Sequence, residues 1–252
     1  MGPWHLELLR MWRTRRWIAL AATFLILGLG LPVLTYFLPD LVKGASTTVQ
    51  IVVPKQTAVD AIASFASNAG QLGTLVLVVV AAASLAVDAH PALSAFYRTR
   101  VRRADLLVLP RYVVVTAASV VALILGTLGA WYETTVLFRS VNFGALAGGV
   151  GLEAVWMCFV ASIVLLFTSV CRSMLGVVGW AIAFLLALAL LTNLGAIASW
   201  LPTRLAASVG DLVQGSPGDI WRALVVAGVG TALALAAGVH LLGRREVSSA
   251  DG

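Results

Sequence analysis

The hydrophobic and polar positions divide the chain into six long apolar runs separated by shorter charged segments. Each run has roughly 19–25 residues, enough for an α-helix to cross a hydrocarbon core of about 30 Å at about 1.5 Å per residue. The pattern therefore predicts an all-α membrane protein, a single transmembrane domain over residues 1–252 with six membrane-spanning helices. The predicted spans cover about 17–38, 69–87, 112–131, 146–170, 174–193 and 221–242.

The chain begins with an amphipathic pattern over residues 3–16. Trp4, Leu8, Met11 and Trp12 follow the helical spacing i, i+4, i+7 and i+8, and arginines surround them. This pattern predicts a helix lying in the membrane interface with its apolar face toward the acyl chains. The alternative is an ordinary basic flank to the first span.

Two of the segments between the spans are more than plain loops. Residues 56–67 could form a short helix on the outer surface. Residues 194–219 are too apolar for a solvated connection, and Pro202, Gly210, Gly215 and Pro217 supply turns within them. Short interfacial or re-entrant helices before the last span are predicted there, because such helices satisfy their own backbone hydrogen bonds.

Composition and charge support the membrane assignment and orient the chain. The sequence is 60% hydrophobic and 11% charged, with a mean hydropathy of +0.98, whereas a soluble domain carries about 25% charged residues. The net charge of +6 does not indicate nucleic-acid binding, because the basic residues cluster beside the apolar runs. With a cytoplasmic N-terminus, twelve basic residues fall on the inner side and five on the outer. This asymmetry predicts a multi-pass protein of the cell membrane with both termini cytoplasmic.

The sequence lacks the motifs of the enzyme classes that act in or at membranes. Its two lysines, Lys43 and Lys55, do not occur in a Gly-Lys-Ser/Thr motif, so it has no phosphate-binding loop. It also lacks His-Glu-x-x-His and Gly-x-Ser-x-Gly motifs. We therefore predict a non-enzymatic protein without catalytic, cofactor or metal sites. Any ATP-driven work would require a separate ATPase chain.

Glu153 and Asn193 are the candidate residues of a transport pathway. Glu153 lies about two turns inside the predicted fourth span, where an ionisable group is costly unless it faces a bundle interior or a water-filled cavity. It is either a pathway or gating residue, or it lies near the interface because the span begins later. Asn193, at the outer end of the fifth span, could form hydrogen bonds between helices.

The longest strongly charged segment, residues 88–111, separates the second and third spans and contains five of the fifteen arginines. Asp88 can cap a short helix that has Pro91 in its first turn. Leu93, Phe96 and Tyr97 then lie on one face of this helix and could fill a groove in a partner protein. The alternative is a solvated basic loop packed on lipid headgroups.

This layout resembles that of the ABC-2-type permeases, the transmembrane subunits of ATP-binding-cassette exporters. In that family the loop after the second span forms a coupling helix that docks on the ATPase. Asp88 stands where the family has Glu, Arg98-Thr99-Arg100 stands near its Gly-Thr region, and Pro110-Arg111 matches its closing pair. The Gly-Thr itself is absent. Cys171-Arg172-Ser173 would form the second ATPase contact.

Two shorter motifs suggest a narrower resemblance. Ala-Phe-Tyr-Arg-Thr-Arg-Val, ending at Val101, and Trp131-Tyr132-Glu133-Thr134 look like motifs of actinobacterial multicomponent antibiotic exporters, including the fluoroquinolone-efflux type. The resemblance implies a pathway for a lipophilic drug, antibiotic or lipid. It also implies ATP-binding-cassette ATPase subunits as partners and a second permease subunit, identical or paralogous. The implied ATPase-coupling residues are Asp88, Leu93, Phe96, Tyr97, Arg98, Arg100 and Arg172. The alternative is a self-sufficient secondary transporter or channel.

Overall fold

The structure, a computed structural model, describes residues 3–45, 56–85, 105–138, 141–171, 173–195, 197–215 and 220–248. These residues are helical apart from short turns, and six of their helical stretches are long and apolar enough to cross a membrane. The prediction of an all-α protein with six spans is thereby confirmed. Spans 1 to 6 are the helical stretches Arg16–Ala45, Ala58–Leu85, Asp105–Leu137, Phe143–Val170, Met174–Leu191 and Ile220–Ser248.

Span 2 begins earlier than the hydropathy pattern indicates. Thr57 starts it with a capping box: its hydroxyl accepts from the Asp60 backbone N–H, and its own N–H donates to the Asp60 carboxylate at 2.8 Å. The helix Ala58–Asn68, predicted as a separate short element at 56–67, continues into the span through a π-helical turn, Ala69–Gly73. The predicted outer helix and the predicted span are thus one continuous helix.

The N-terminal helix, Pro3–Arg13, is joined to span 1 by a tight turn. Arg15 in this turn has a φ of 54°, a left-handed conformation that is uncommon outside glycine. Trp4, Leu8 and Trp12 on the predicted apolar stripe are exposed, whereas Met11 is buried against the bundle. One part of the stripe therefore packs on the bundle, and the other part points away from the protein.

Spans 2, 3 and 4 form the centre of the bundle. Within the most apolar stretch of each, 61%, 50% and 56% of the residues are buried, against 28%, 11% and 17% for spans 1, 5 and 6. The outer three spans are apolar almost all round, which is the pattern of helices that face lipid or another apolar surface rather than water.

Close packing of spans 1 and 3 depends on glycine. Gly28 of span 1 faces the backbone of Gly126 in span 3, and a Cβ added at Gly126 would lie 2.5 Å from the carbonyl oxygen of Phe24. No side chain fits there without moving a helix backbone. Small residues of this kind allow transmembrane helices to approach closely and gain dispersion contacts.

Between spans 5 and 6, within the segment 194–219, the chain forms short helices, and their interfacial or re-entrant placement stays a prediction. A 3-10 turn, Ala198–Trp200, leads to a 3-10 helix, Pro202–Ala207, and an α-helix, Ser208–Val213. We call the last two the connector helices. They pack against spans 2, 4 and 6, and Leu205 and Val209 on them are fully buried. These helices are therefore part of the packed bundle.

The predicted ATPase-coupling residues lie outside the described part of the chain: Asp88, Leu93, Phe96, Tyr97, Arg98, Arg100 and Arg172. Of the 88–111 segment the structure describes residues 105–111, which are helical. Span 3 begins at Asp105 and not at the predicted residue 112, so Pro110 and Arg111 lie inside this helix, and span 2 ends at Leu85.

Candidate functional site

A groove lined mainly by apolar side chains lies between span 2 and span 5, beside the connector helices. It has a volume of about 430 Å³ and is open to its surroundings. Ile182, Leu185 and Leu186 of span 5 form its apolar wall. Its size and lining match those of sites that hold small lipophilic molecules.

The π-helical turn in span 2 shapes one side of this groove. Gly70 in the turn lies so close to the backbone of Ala206 in the connector that a Cβ would overlap the Ala206 carbonyl oxygen. At Gly73, likewise, a Cβ would overlap the ring of Phe24 from span 1. Turns of this type occur frequently at functional sites, and here the turn places Gln71 and Thr74 on the groove lining.

Trp156 of span 4 forms the inner end of the groove. Its indole Nε1 donates a hydrogen bond to the hydroxyl of Thr74 at 2.9 Å, and the side chain is almost fully buried. The bond satisfies the indole donor in an apolar setting and joins spans 2 and 4. An unmade bond there would cost about 1–3 kcal/mol.

A few polar groups accompany the apolar wall. Ser67 and Gln71 of span 2 line the groove, and so does Thr203 of the connector. The Thr203 hydroxyl is buried and has no hydrogen-bond partner among the described residues. A ligand with an oxygen or nitrogen function could use this hydroxyl while its apolar body packs on span 5.

Glu153 lies in span 4, ten residues after the helix begins at Phe143, and it is completely buried. The helix therefore begins three residues before the predicted span, and the bundle covers Glu153 completely. Both carboxyl oxygens lack a hydrogen-bond partner among the described residues. Glu153 is outside the groove lining, although Trp156 is only three residues further along span 4.

The helix spacing places Glu153 on the same face as Gly149, one turn away. At Gly149 a Cβ would overlap the backbone of Val209, and the Ser208 hydroxyl donates to the Gly149 carbonyl at 3.1 Å. Glu153 is thus on the face of span 4 that the helix Ser208–Val213 covers.

Asn193, the second predicted pathway residue, follows the end of span 5. Its side chain is exposed and is not part of the groove lining. Its backbone N–H donates to the Leu190 carbonyl at 3.2 Å, which continues the last turn of the span. The structure therefore does not bring Asn193 and Glu153 together.

The structure also brings together residues that sequence reasoning did not connect. At the other end of the bundle, Arg111 of span 3 donates from Nε to Oε1 of Glu7 in the N-terminal helix at 2.9 Å. The Arg111 side chain is 2% exposed and that of Glu7 15%. Glu7 is the lone acidic residue of a basic helix, and this is the one sequence signal that could have indicated the pair.

Comparisons with known proteins give limited help. No family model and no solved structure matches the chain. It is 21% identical over 170 residues to a Bacillus subtilis protein described as "Uncharacterized transmembrane protein YxlG". The match covers 66% of this chain and 66% of that protein, just under two thirds of each. Together with the six apolar helices, this similarity supports a multi-pass membrane protein.

Proposed function

We propose that the chain is the transmembrane subunit of an ABC exporter and forms part of the pathway for a lipophilic substrate. The observation that supports this most is the groove between spans 2 and 5. Its apolar wall, few polar groups and open side suit the passage of a drug, an antibiotic or a lipid. The protein itself forms no covalent bond in this role.

The energy would come from a partner. The sequence contains no phosphate-binding loop, so ATP would bind to separate ATP-binding-cassette subunits, which would act on the segment 88–111. The Glu7–Arg111 ion pair supports this arrangement, because Arg111 is both the last residue of the segment and part of span 3, and the pair holds it against the N-terminal helix. Movement of the segment would thereby be transmitted to span 3 and to the N-terminal helix together.

A second permease subunit, identical or paralogous, would complete the pathway. Spans 1, 5 and 6 expose most of their apolar surface, including Leu186 and Leu190 of span 5. Part of this surface would face lipid and part the second subunit. In this proposal the protein lies in the cell membrane with both termini in the cytoplasm, as the charge asymmetry predicts.

The first test isolates the tagged full-length chain from its native membranes after mild cross-linking. We expect an ATP-binding-cassette subunit to co-purify, together with vanadate-sensitive ATPase activity. In inverted vesicles, the fluorescent fluoroquinolone norfloxacin and the antibiotic doxorubicin serve as transport probes. Recovery of the chain without any ATPase, with probe uptake that follows a proton gradient alone, would contradict the proposal.

Variants of this chain test whether the segment 88–111 and the groove take part in transport. Reversing charge at Arg98 and Arg100 should lower transport while ATP hydrolysis continues, and Arg13→Glu on the exposed face of the N-terminal helix is the control.

Leu186→Trp should obstruct the groove, whereas Leu190→Trp, one turn further along span 5 and outside the lining, should not. Equal transport by both leucine variants would show that the groove is not the pathway.

The alternative function is a self-sufficient secondary transporter or channel. Glu153 favours it, because a fully buried carboxyl group in a membrane span can bind and release a coupling ion. This alternative requires gradient-driven uptake by the chain alone and its loss in Glu153→Gln. ATP-dependent uptake that survives Glu153→Gln would favour the ABC exporter.

A further inference from the structure

Three arginines and one glutamate line a cleft where the N-terminal helix crosses the ends of spans 1, 2 and 3. The cleft is narrow, with a volume of about 10 Å³, and it is open to the surface, so an anion would bind at its mouth and not inside it. It is lined by Glu7, Arg10, Arg16 and Arg111 together with small and apolar side chains. Glu7 contacts Arg111 at 2.9 Å through one carboxyl oxygen and Arg10 at 3.7 Å through the other. The four charged side chains therefore carry a net charge of +2.

Arg16 has hydrogen-bonding capacity to spare in this cleft. Its Nη1 donates to the Ala83 carbonyl at 2.8 Å and to the Ser84 hydroxyl at 3.2 Å, both in the last turn of span 2. Among the described residues its other nitrogens have no partner. A guanidinium group presents five donors in a fork that matches phosphate oxygens. The cleft thus offers donors and positive charge to an anionic group.

The depth of the cleft indicates where that anion comes from. Arg16 is the first residue of span 1, and Arg111 lies one turn inside the apolar part of span 3, which begins at Val108. Both are at one boundary of the membrane-spanning region. The phosphates of phospholipid headgroups occupy this level of a bilayer.

A long apolar groove continues directly from the arginine cleft. The two share Met11 and Val114, and the groove has a volume of about 390 Å³. It follows one face of span 3 at helical spacing, through Val114, Ala117, Ala118, Val121, Ala122 and Leu125. Val114 and Leu125 are eleven helical steps apart, and about 1.5 Å per step gives about 16 Å, roughly half of a hydrocarbon core of about 30 Å. That is the depth of one leaflet and the reach of one acyl chain.

Trp17 lies between the polar and the apolar parts. It lines the groove, and its indole Nε1 is buried with no hydrogen-bond partner among the described residues. Trp12 stacks on it with ring centroids 4.8 Å apart and is 67% exposed. Tryptophan pairs at this level are typical of the membrane interface, and the buried N–H could donate to the ester carbonyl of a lipid.

We propose that the cleft and groove together bind one anionic phospholipid of the leaflet that faces the N-terminal helix. Arg16 and Arg10 bind its phosphate at the open mouth of the cleft, Trp17 donates to an ester carbonyl, and one acyl chain lies along span 3 from Val114 to Leu125. The net positive charge of the cleft selects a lipid such as phosphatidylglycerol over a zwitterionic one. The bound lipid fastens the N-terminal helix to the bundle.

The test uses the purified full-length chain in detergent, with native mass spectrometry for lipid retention and thermal unfolding for stability. Phosphatidylglycerol, phosphatidylcholine and inorganic phosphate are added separately at matched concentrations. We expect phosphatidylglycerol to remain bound and to raise the unfolding temperature most, because a ligand that binds the folded state stabilises it by mass action. Inorganic phosphate, which lacks an acyl chain, should have little effect.

Variants separate the headgroup contacts from the acyl contacts. Arg10→Gln and Arg16→Gln should each weaken phosphatidylglycerol binding about fivefold, since one basic residue near the membrane surface contributes about 1 kcal/mol. Arg13→Gln, on the exposed side of the same helix, is the control for general electrostatic attraction. Val121→Trp should block the groove, and Val136→Trp, an exposed residue of span 3 outside the groove, is its control.

Three results would overturn the proposal. The first is equal stabilisation by phosphatidylglycerol and phosphatidylcholine. The second is an equal loss of binding in Arg13→Gln and Arg10→Gln. The third is protection by inorganic phosphate equal to that by phosphatidylglycerol and unchanged in Val121→Trp, which would show a free-phosphate site instead. If Arg16→Gln does not fold, Arg10→Gln and Val121→Trp still decide, because Arg10 has only a 3.7 Å contact and Val121 is exposed.

Discussion

The two ends of the bundle are fastened by different interactions. At the end with the N-terminal helix, charged and polar groups make the connections: Glu7 binds Arg111, and Arg16 binds the last turn of span 2. At the end with the connector helices, the backbones of Gly70 and Gly149 lie directly against the connector backbone. The Ser208 hydroxyl adds a hydrogen bond from the connector to the Gly149 carbonyl.

The buried charges show the same contrast. Arg111 is 3% exposed and has a carboxylate partner, whereas Glu153 is 0% exposed and has no hydrogen-bond partner among the described residues. A charge near the membrane boundary can be matched by a neighbouring helix and by lipid headgroups. The Glu153 carboxyl group, under the helix Ser208–Val213, has no such match among the described residues.

Removing the ionic connection should have the largest effect on stability. Glu7→Ala takes away the carboxylate that accepts from Arg111, and we expect it to lower the free energy of unfolding by about 2–3 kcal/mol. Glu7→Gln keeps an acceptor and should lose less. The measurement is chemical unfolding in detergent, with Glu133→Gln as the control. Equal stability of Glu7→Ala and wild type would show that the N-terminal helix is not fastened by this pair.

At the connector end, close packing can be tested with two glycines of span 4. Gly149→Ala places a methyl group against the Val209 backbone and should destabilise the fold by about 1–3 kcal/mol through overpacking. Gly151→Ala, where nothing lies within 4 Å, should be neutral or stabilise by up to about 1 kcal/mol through helix propensity. Unfolding is measured as for Glu7. If both variants behave alike, close backbone approach is not what holds the connector.

The smallest expected effect concerns Glu153. Glu153→Gln keeps the size of the side chain and removes its ionisable group. We expect equal stability or a gain of about 1 kcal/mol, because an amide is cheaper to bury than a carboxylate without a partner. A loss of stability above about 2 kcal/mol would reveal a bound ion or another partner that needs the carboxylate. Glu133→Gln again serves as the control.

The spans follow from the sequence because hydropathy alone measures whether a helix can lie in hydrocarbon. The six apolar runs, the N-terminal helix and the short helices at 198–213 are all predictable from local patterns. The residues at which the spans begin and end are less predictable. Span 2 begins at Ala58 because Thr57 and Asp60 form a capping box and because the glycines at 70 and 73 allow a π-helical turn instead of a break. The hydropathy pattern does not contain this information.

The candidate site was only partly predictable. Glu153 stands out because an acidic residue inside an apolar run is rare, but the sequence does not show that Trp156, one turn away, borders the groove while Glu153 does not. Asn193 is a candidate because its amide could bond between helices at the outer end of span 5, but it lies exposed beyond that end. Thr74 and Trp156 are 82 positions apart, and no local pattern links them.

By itself, therefore, the sequence determined the class of this protein: an all-α membrane protein with six spans and a basic end. Its tertiary structure decided which side chains meet, such as Glu7 with Arg111 across 104 positions and Gly149 with Val209. The reason is physical. Membrane insertion depends on the composition of each segment alone, whereas helix packing depends on matching surfaces of segments that are distant in the sequence.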